Sequence, residues 1–157
     1  MADIEGIKAL NLDFKERAIE LSKKYPKLIF TYRNKSLAQD LLAEIEDLSP
    51  DSQVHSVYCD FSSQDSIKKC AEEINGLCED IDVLVNNAGV VNTSYHETSD
   101  GIENTFAVNH LGYFLFTNLL LHKLKGESET RIINVSSAAH SFVKEIQWQD
   151  INFKNNF

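Results

Sequence analysis

"IDVLVNNAG", Ile81 to Gly89, is the stretch whose reading decides the fold. Ile81, Val83, Leu84 and Val85 make a β-branched and aliphatic run of strand length. The run passes directly into two amides, an alanine and a glycine. Those four residues read either as an Asn-Gly-type loop with no ligand or as a strand end shaped to receive one.

Working outward, three more runs have strand character: "KLIFTY" at 27 to 32, "QVHSVYC" at 53 to 59 and "RIINV" at 131 to 135. Helical patterns lie between them. Phe14 to Lys24 is the first, and Ser36 to Leu48 the second, with Leu37, Leu41, Leu42 and Ile45 marking one face. The third begins at Ser63 and ends near Gly76, with Ile67, Cys70, Ala71 and Ile74 at helical spacing.

The spacing predicts a fourth and longest helix from after Ser99 towards Gly126. Asp100 and Glu103 resemble a capping pair at its start, and Lys123 and Lys125 precede Gly126 at its end. Ile102, Phe106, Leu111, Phe114, Leu115, Leu119 and Leu124 give this helix an apolar surface broad enough to bury more than one face. Strands separated by helices of such length need crossover connections, so the sheet should be parallel and covered on both sides. The expectation is a doubly wound α/β domain. The sequence shows no internal repeat and no Pro/Gly-rich linker, Pro26 and Pro50 being its only prolines.

Composition bounds the partners. At 157 residues and 43% hydrophobic, the chain reads as one globular domain, 1–157. Its 15 basic and 24 acidic side chains leave a formal charge of -9, which disfavours nucleic acid and anionic membrane surfaces. No run has the length of a signal peptide or of a membrane span, and the greasiest stretch, Gly112 to Leu121, is interrupted by Thr117 and Asn118. The chain therefore reads as soluble and cytoplasmic. Cys59, Cys70 and Cys78 are odd in number and lack C-x-x-C spacing, so they are expected as reduced packing residues. No histidine pair has metal-ligand spacing, and no metal is expected.

With "NNAG" after a strand, "VNHLGYF" at 108 to 114 and "RIINVSS" at 131 to 137, in this order and at this spacing, the chain resembles the short-chain dehydrogenase/reductases. The likeness is greatest to their retinol-dehydrogenase-like branch and runs from about Lys15 to Asp150. The resemblance implies a Rossmann-like fold: an incomplete doubly wound parallel sheet in three αβα layers. It also implies NADP-dependent oxidation or reduction of an alcohol or carbonyl, with retinoid or other lipid-like substrates suggested by the branch.

On this resemblance Asn86, Asn87, Ala88 and Gly89 stand at the carboxyl end of a parallel strand, beside the crevice where a dinucleotide lies. A bulky side chain there would block the cofactor. Arg33 and Asn34 follow the second strand, where the adenosine ribose sits; an arginine there pairs with a 2'-phosphate, and the bland alternative is a surface arginine with no ligand. Asp60 matches the aspartate that contacts the adenine amino group, or else caps the helix starting near Ser63, and the two roles do not exclude each other. Ser137 matches the serine that binds the substrate oxygen. Asn109 matches the asparagine that holds a water in the proton relay, and an interior hydrogen bond is the alternative reason for a polar residue in so apolar a helix.

The chain departs from the family pattern in two places. The family's first strand leads into a TGxxxGxG turn whose glycines let the backbone approach the pyrophosphate. Ungapped register puts Lys8, Leu12 and Phe14 at those glycines, so cofactor affinity is expected to be severely weakened. The family's proton donor is the tyrosine of a Tyr-x-x-x-Lys pair, and "AAHSFVKEIQWQDINFKNNF", which follows Ser137, contains no tyrosine. Tyr95 and Tyr113 lie in segments that do not correspond. The 157-residue chain is thus expected to be inactive by itself. The alternative to an enzyme is a non-catalytic isoform or pseudoenzyme that binds a full-length relative, the helix 100–125 serving a homo- or hetero-dimer.

Overall fold

The computed structural model describes residues 14–25, 27–124 and 130–155. Its contacts divide it into two compact units meeting in sequence at Tyr58 and Cys59. Lys8 and Leu12, expected in place of the glycine turn, lie outside the described residues, as do Lys125 and Gly126.

The first unit holds helix α1 (Phe14–Lys24), strand β1 (Lys27–Tyr32), helix α2 (Lys35–Leu48) and strand β2 (Gln53–Tyr58). The strands pair in parallel from Lys27 opposite Gln53 to Tyr32 opposite Tyr58, with α2 as the crossover that parallel pairing requires. Ala38, Leu41 and Ile45 of α2 are buried with Ala18 and Phe30, and Ile19, Tyr32, Leu42 and Val54 pack around them. Leu37 departs from the expected face: it is 66% exposed, one turn before Leu41 in the first turn of α2, while the smaller Ala38 faces the strands.

The second unit comprises helix α3 (Gln64–Leu77), strand β3 (Val83–Asn86), a short helix α4 (Asn104–Phe106), a π-helical turn (Ala107–Leu111), helix α5 (Gly112–Leu120) and strand β4 (Arg131–Asn134). β3 and β4 are parallel, from Val83 opposite Arg131 to Asn86 opposite Asn134. Ile67, Cys70, Ala71 and Ile74 are the buried face of α3, as their spacing predicts. Along β3 only Leu84 and Asn86 are buried, whereas Val83 and Val85 on the opposite face are exposed. The described strands therefore make two separate two-stranded parallel ladders, an incomplete α/β arrangement of Rossmann type.

The fourth helix corrects the expected start. Asp100 does not cap it; the Asp100 Oδ2 instead accepts from the Gln64 backbone N–H at 2.9 Å, at the start of α3. Glu103 is itself the N-cap residue, its two carboxylate oxygens accepting from Thr105 N at 2.8 Å and Phe106 N at 2.7 Å. The physical reason is Gly101, whose φ of 73° turns the chain back so that Thr98 pairs with Ile102 and Glu97 bridges Glu103 before the helix begins. At the other end Lys123 caps a neighbour, its Nζ donating to Asn75 O at 3.1 Å and Cys78 O at 2.7 Å, where α3 leaves carbonyls unpaired. The cysteines are free, and Cys59 and Cys70 are buried. The hydrogen bond between these two, with burial, raises the Cys59 pKa. No described helix is long and apolar enough to cross a membrane.

Candidate functional site

The end of β3 is built from its inward-facing amide. Asn86 is 2% exposed, on the same side of the strand as Leu84. Its Nδ2 donates to Thr117 Oγ1 at 3.1 Å and to Asn134 Oδ1 at 2.7 Å. One side chain thus ties the ends of both strands to α5 through its Nδ2, while its Oδ1 is buried without a hydrogen-bond partner among the described residues. The Val135 N–H donates to Asn86 O at 2.9 Å, continuing the ladder by one residue.

Beyond the strand the chain stays pinned to the same helix. Tyr113 donates its hydroxyl to the Ala88 carbonyl. Asn109 clasps Val90 at two points: its Oδ1 accepts from Val90 N at 2.8 Å and its Nδ2 donates to Val90 O at 2.8 Å. Asn109 lies in the π-helical turn, a wide turn that often marks a functional position. Asn109 is exposed, so these bonds lie at the surface and are not the interior hydrogen bond weighed for it. Asn87, Ala88 and Gly89 are exposed, and a Cβ built on Gly89 would meet Asn109 Oδ1 at 3.6 Å and Asn109 Cγ and Asn87 O at 4.0 Å, all ordinary contacts. Crowding within the chain does not require that glycine. What its lack of a side chain does is leave the outer surface of the segment bare.

Asp60 is a turn residue. Its Oδ1 accepts from the Ser62 N–H at 2.9 Å and the Ser62 hydroxyl at 2.7 Å, and its own N–H donates to Ser66 Oγ at 2.8 Å. The cap of α3 is Ser63, whose Oγ accepts from Ser66 N at 3.3 Å, so the capping alternative raised for Asp60 belongs to the residue three further on.

Ser137 stands three residues past β4, exposed, with its Oγ accepting from Ala139 N at 3.1 Å. A serine hydroxyl that accepts one bond keeps its own proton to donate. After an exposed segment the chain returns, and its residues anchor to the loop before α4. Lys154 Nζ lies 2.8 Å from Glu97 Oε1, the Tyr95 hydroxyl donates to the same oxygen at 2.6 Å, and Glu103 N donates to Asn152 Oδ1 at 3.3 Å. Lys154 first, then Tyr95, hold the Glu97 carboxylate below its ordinary pKa. The hydrogen bond to Glu97 pushes Tyr95 up to about 12. No group of three His, Cys, Asp or Glu placed to hold a metal occurs among the described residues.

In the first unit, Asn34 is the N-cap of α2, its Oδ1 accepting from Leu37 N at 3.2 Å. Arg33 beside it is exposed. The structure thus gathers Asn86, Ala88, Gly89 and Asn109 into one hydrogen-bonded assembly, with Ser137 past the paired strand. Arg33 and Asn34 form a second locus in the other unit. Sequence reasoning missed Tyr113 and Thr117. The signal was there: Asn109, Tyr113 and Thr117 recur every four residues along the helix, one polar stripe on one face.

Comparison with known proteins follows the same outline. Residues 15–149 match the sequence profile of the short chain dehydrogenase family. Retinol dehydrogenase 13 of Homo sapiens is 38% identical over 140 residues, which is 89% of this chain and 42% of the relative. The chain spans less than half the length of that protein. A crystal structure of an uncharacterized protein from Mycobacterium paratuberculosis superposes with a TM-score of 0.74 at 30% identity, over 90% of this chain and 47% of that one. A metagenomic short-chain oxidoreductase, solved in complex with NADP, gives a TM-score of 0.65 at 25% identity, over 78% of this chain and 56% of that one.

Proposed function

Because the chain belongs to the short-chain dehydrogenase family, we propose that residues 1–157 carry the NADP-facing part of an oxidoreductase acting on an alcohol or carbonyl compound. The observation that carries this reading is the bare Asn87–Gly89 segment held between three turns of helix and two paired strands. Small exposed residues on a braced backbone fit a flat ligand that must approach the main chain closely. Bound NADP supplies the hydride acceptor or donor.

The remaining roles belong to this chain's residues. Arg33 pairs with a 2'-phosphate and Asn34, beside it, offers its amide N–H groups. Asp60 accepts from the adenine amino group with the carboxylate oxygen not used by Ser62. Ala88 and Gly89 give the cofactor a surface, and Asn86 keeps that surface in place. Ser137 donates its hydroxyl proton to the substrate oxygen and polarises it. Asn109 holds the segment and orders a water near it. The retinol-dehydrogenase relative supports a lipid-like substrate.

A second reading is favoured by the tyrosines. The Tyr95 hydroxyl is committed to Glu97 and that of Tyr113 to Ala88. In this reading the 157-residue chain binds and does not turn over substrate, pairing with a full-length relative through the helix 100–125. Phe114, 67% exposed on α5, supports such a contact. The reduced cysteines fit a cytoplasmic setting.

The test is calorimetry of the purified chain with NADPH and with NADH. Saturable binding with NADPH preferred, and that preference lost in Arg33→Ala, is the expected result. A folded chain that binds neither nucleotide would exclude both an enzyme and a nucleotide sensor. Mixing with a full-length relative, followed by size-exclusion chromatography, then decides the second reading.

A further inference from the structure

We propose that Tyr113 is a positioning residue, whose hydroxyl sets the Ala88 carbonyl and through it the path of the Asn87–Gly89 segment. The proposal rests on the cofactor reading of that segment, but its first half is decided without any cofactor.

The argument begins with spacing. Asn109, Tyr113 and Thr117 bond to Val90, Ala88 and Asn86, so each step of four residues along the helix matches a step of two along the extended chain. Four helical residues advance about 6 Å and two extended residues about 6.6 Å, so the two repeats stay in register over three rungs. The chains run antiparallel. The middle rung is the one that reaches the small-residue segment itself. Thr117 stops at the strand and Asn109 lies beyond the glycine.

The tyrosine ring is held independently of its hydroxyl. A Cβ on Gly112 would stand 2.9 Å from Phe61 Cδ1, 3.2 Å from Phe61 O and 3.1 Å from Ala107 O, so Phe61 lies directly on the helix where the glycine leaves room. Phe61 is 8% exposed, and its ring meets Phe116 edge-on at 5.4 Å and Tyr113 edge-on at 6.0 Å. Its contact aims the Tyr113 ring at the Ala88 carbonyl. Half-burial raises the Tyr113 pKa, so the hydroxyl keeps its proton and remains a donor at neutral pH. A rigid aromatic carrying a protonated donor fixes a carbonyl far better than a flexible side chain would.

Ala88–Gly89 is the only Ala-Gly pair in the sequence, so a chain labelled with carbonyl-13C alanine and 15N glycine gives a single alanine-carbonyl to glycine-nitrogen correlation. In Tyr113→Phe, which keeps the ring, that carbonyl should move upfield as it loses its donor. NADPH affinity should fall about fivefold, the size of one net hydrogen bond. Growth on 3-fluorotyrosine, whose more acidic hydroxyl is a stronger donor, should move the same resonance downfield and stands in if Tyr113→Phe does not fold. An unmoved resonance in either sample overturns the positioning role, and so does a moved resonance with unchanged NADPH affinity. A wild-type chain that does not bind NADPH overturns the cofactor reading, while the resonance still decides whether Tyr113 sets the carbonyl.

Discussion

Two strand ends carry candidate cofactor residues, and they are built on opposite principles. At the end of β1, Arg33 and Asn34 belong to the start of the next helix. Asn34 caps α2 through Leu37 three residues away, and Arg33 stands exposed beside it. At the end of β3, Asn86, Ala88 and Val90 are held by residues 19 to 48 positions distant, on α5, on the π-helical turn and on β4. The first end is a local device that a few residues specify among themselves. The second exists only when two strands and a helix have already assembled. The first end can adjust by itself, whereas the second moves only if its strands and helix move with it.

The sharpest way to break the comparison is Asn86→Ala. It removes both bonds of a 2% exposed side chain, to the half-buried Thr117 and to Asn134 at the surface, and should cost about 3 kcal/mol by urea unfolding. A loss under about 1 kcal/mol would mean that the β3 end is no more cross-braced than the β1 end. Gly112→Ala comes next. Alanine favours a helix by about 1 kcal/mol over glycine, but the added methyl overlaps Phe61 and two backbone carbonyls that cannot yield easily. The overlap should win, with a net loss of about 2 kcal/mol, and a more stable protein would show that Phe61 repacks freely.

Asn34→Ala removes a cap and nothing else, so about 1 kcal/mol is expected, with Asn34→Asp restoring most of it. A loss as large as that of Asn86→Ala would erase the distinction between the two ends. The smallest effect concerns a third region. The folded pKa of Glu97 lies below its unfolded value, so its contribution is present above the unfolded value and is lost as pH falls through the lowered folded one. Tyr95 shifts the other way: its neutral form is favoured, and that contribution disappears as pH rises towards 12. The protection factor of the Glu103 amide, whose acceptor Asn152 does not titrate, should therefore fall on acidification below the carboxylate range while those of Asn86 and Val135 hold. Parallel loss of protection at all three would show that the anchor to Glu97 is not a separate unit.

Most of the elements were legible from the chain because their signals are local. The run 27 to 32 forms a strand over the whole of that range, and 53 to 59 does so over all but its last residue. The face of α3 follows its spacing residue for residue. Where the reading slipped, a distant or unforeseen contact had intervened. Asp100 has the composition of a cap for the helix that follows it, yet it serves α3, because Gly101 reverses the chain first. Leu37 fits the helical period but falls in the first turn, where Ala38 takes the inward place.

The sequence by itself determined the alternation of strand and helix, the family, and the residues at each strand end, since periodicity, caps and motif spacing act over a few residues or a few turns. Only the tertiary structure decided what those residues do. Asn109 grips Val90, Asp60 braces a turn that Ser63 caps, and Tyr113 reaches Ala88. Polar side chains spaced four apart on a helix offer bonds to whatever chain lies alongside; which partner each finds depends on the rise of one element matching the rise of another across their packing.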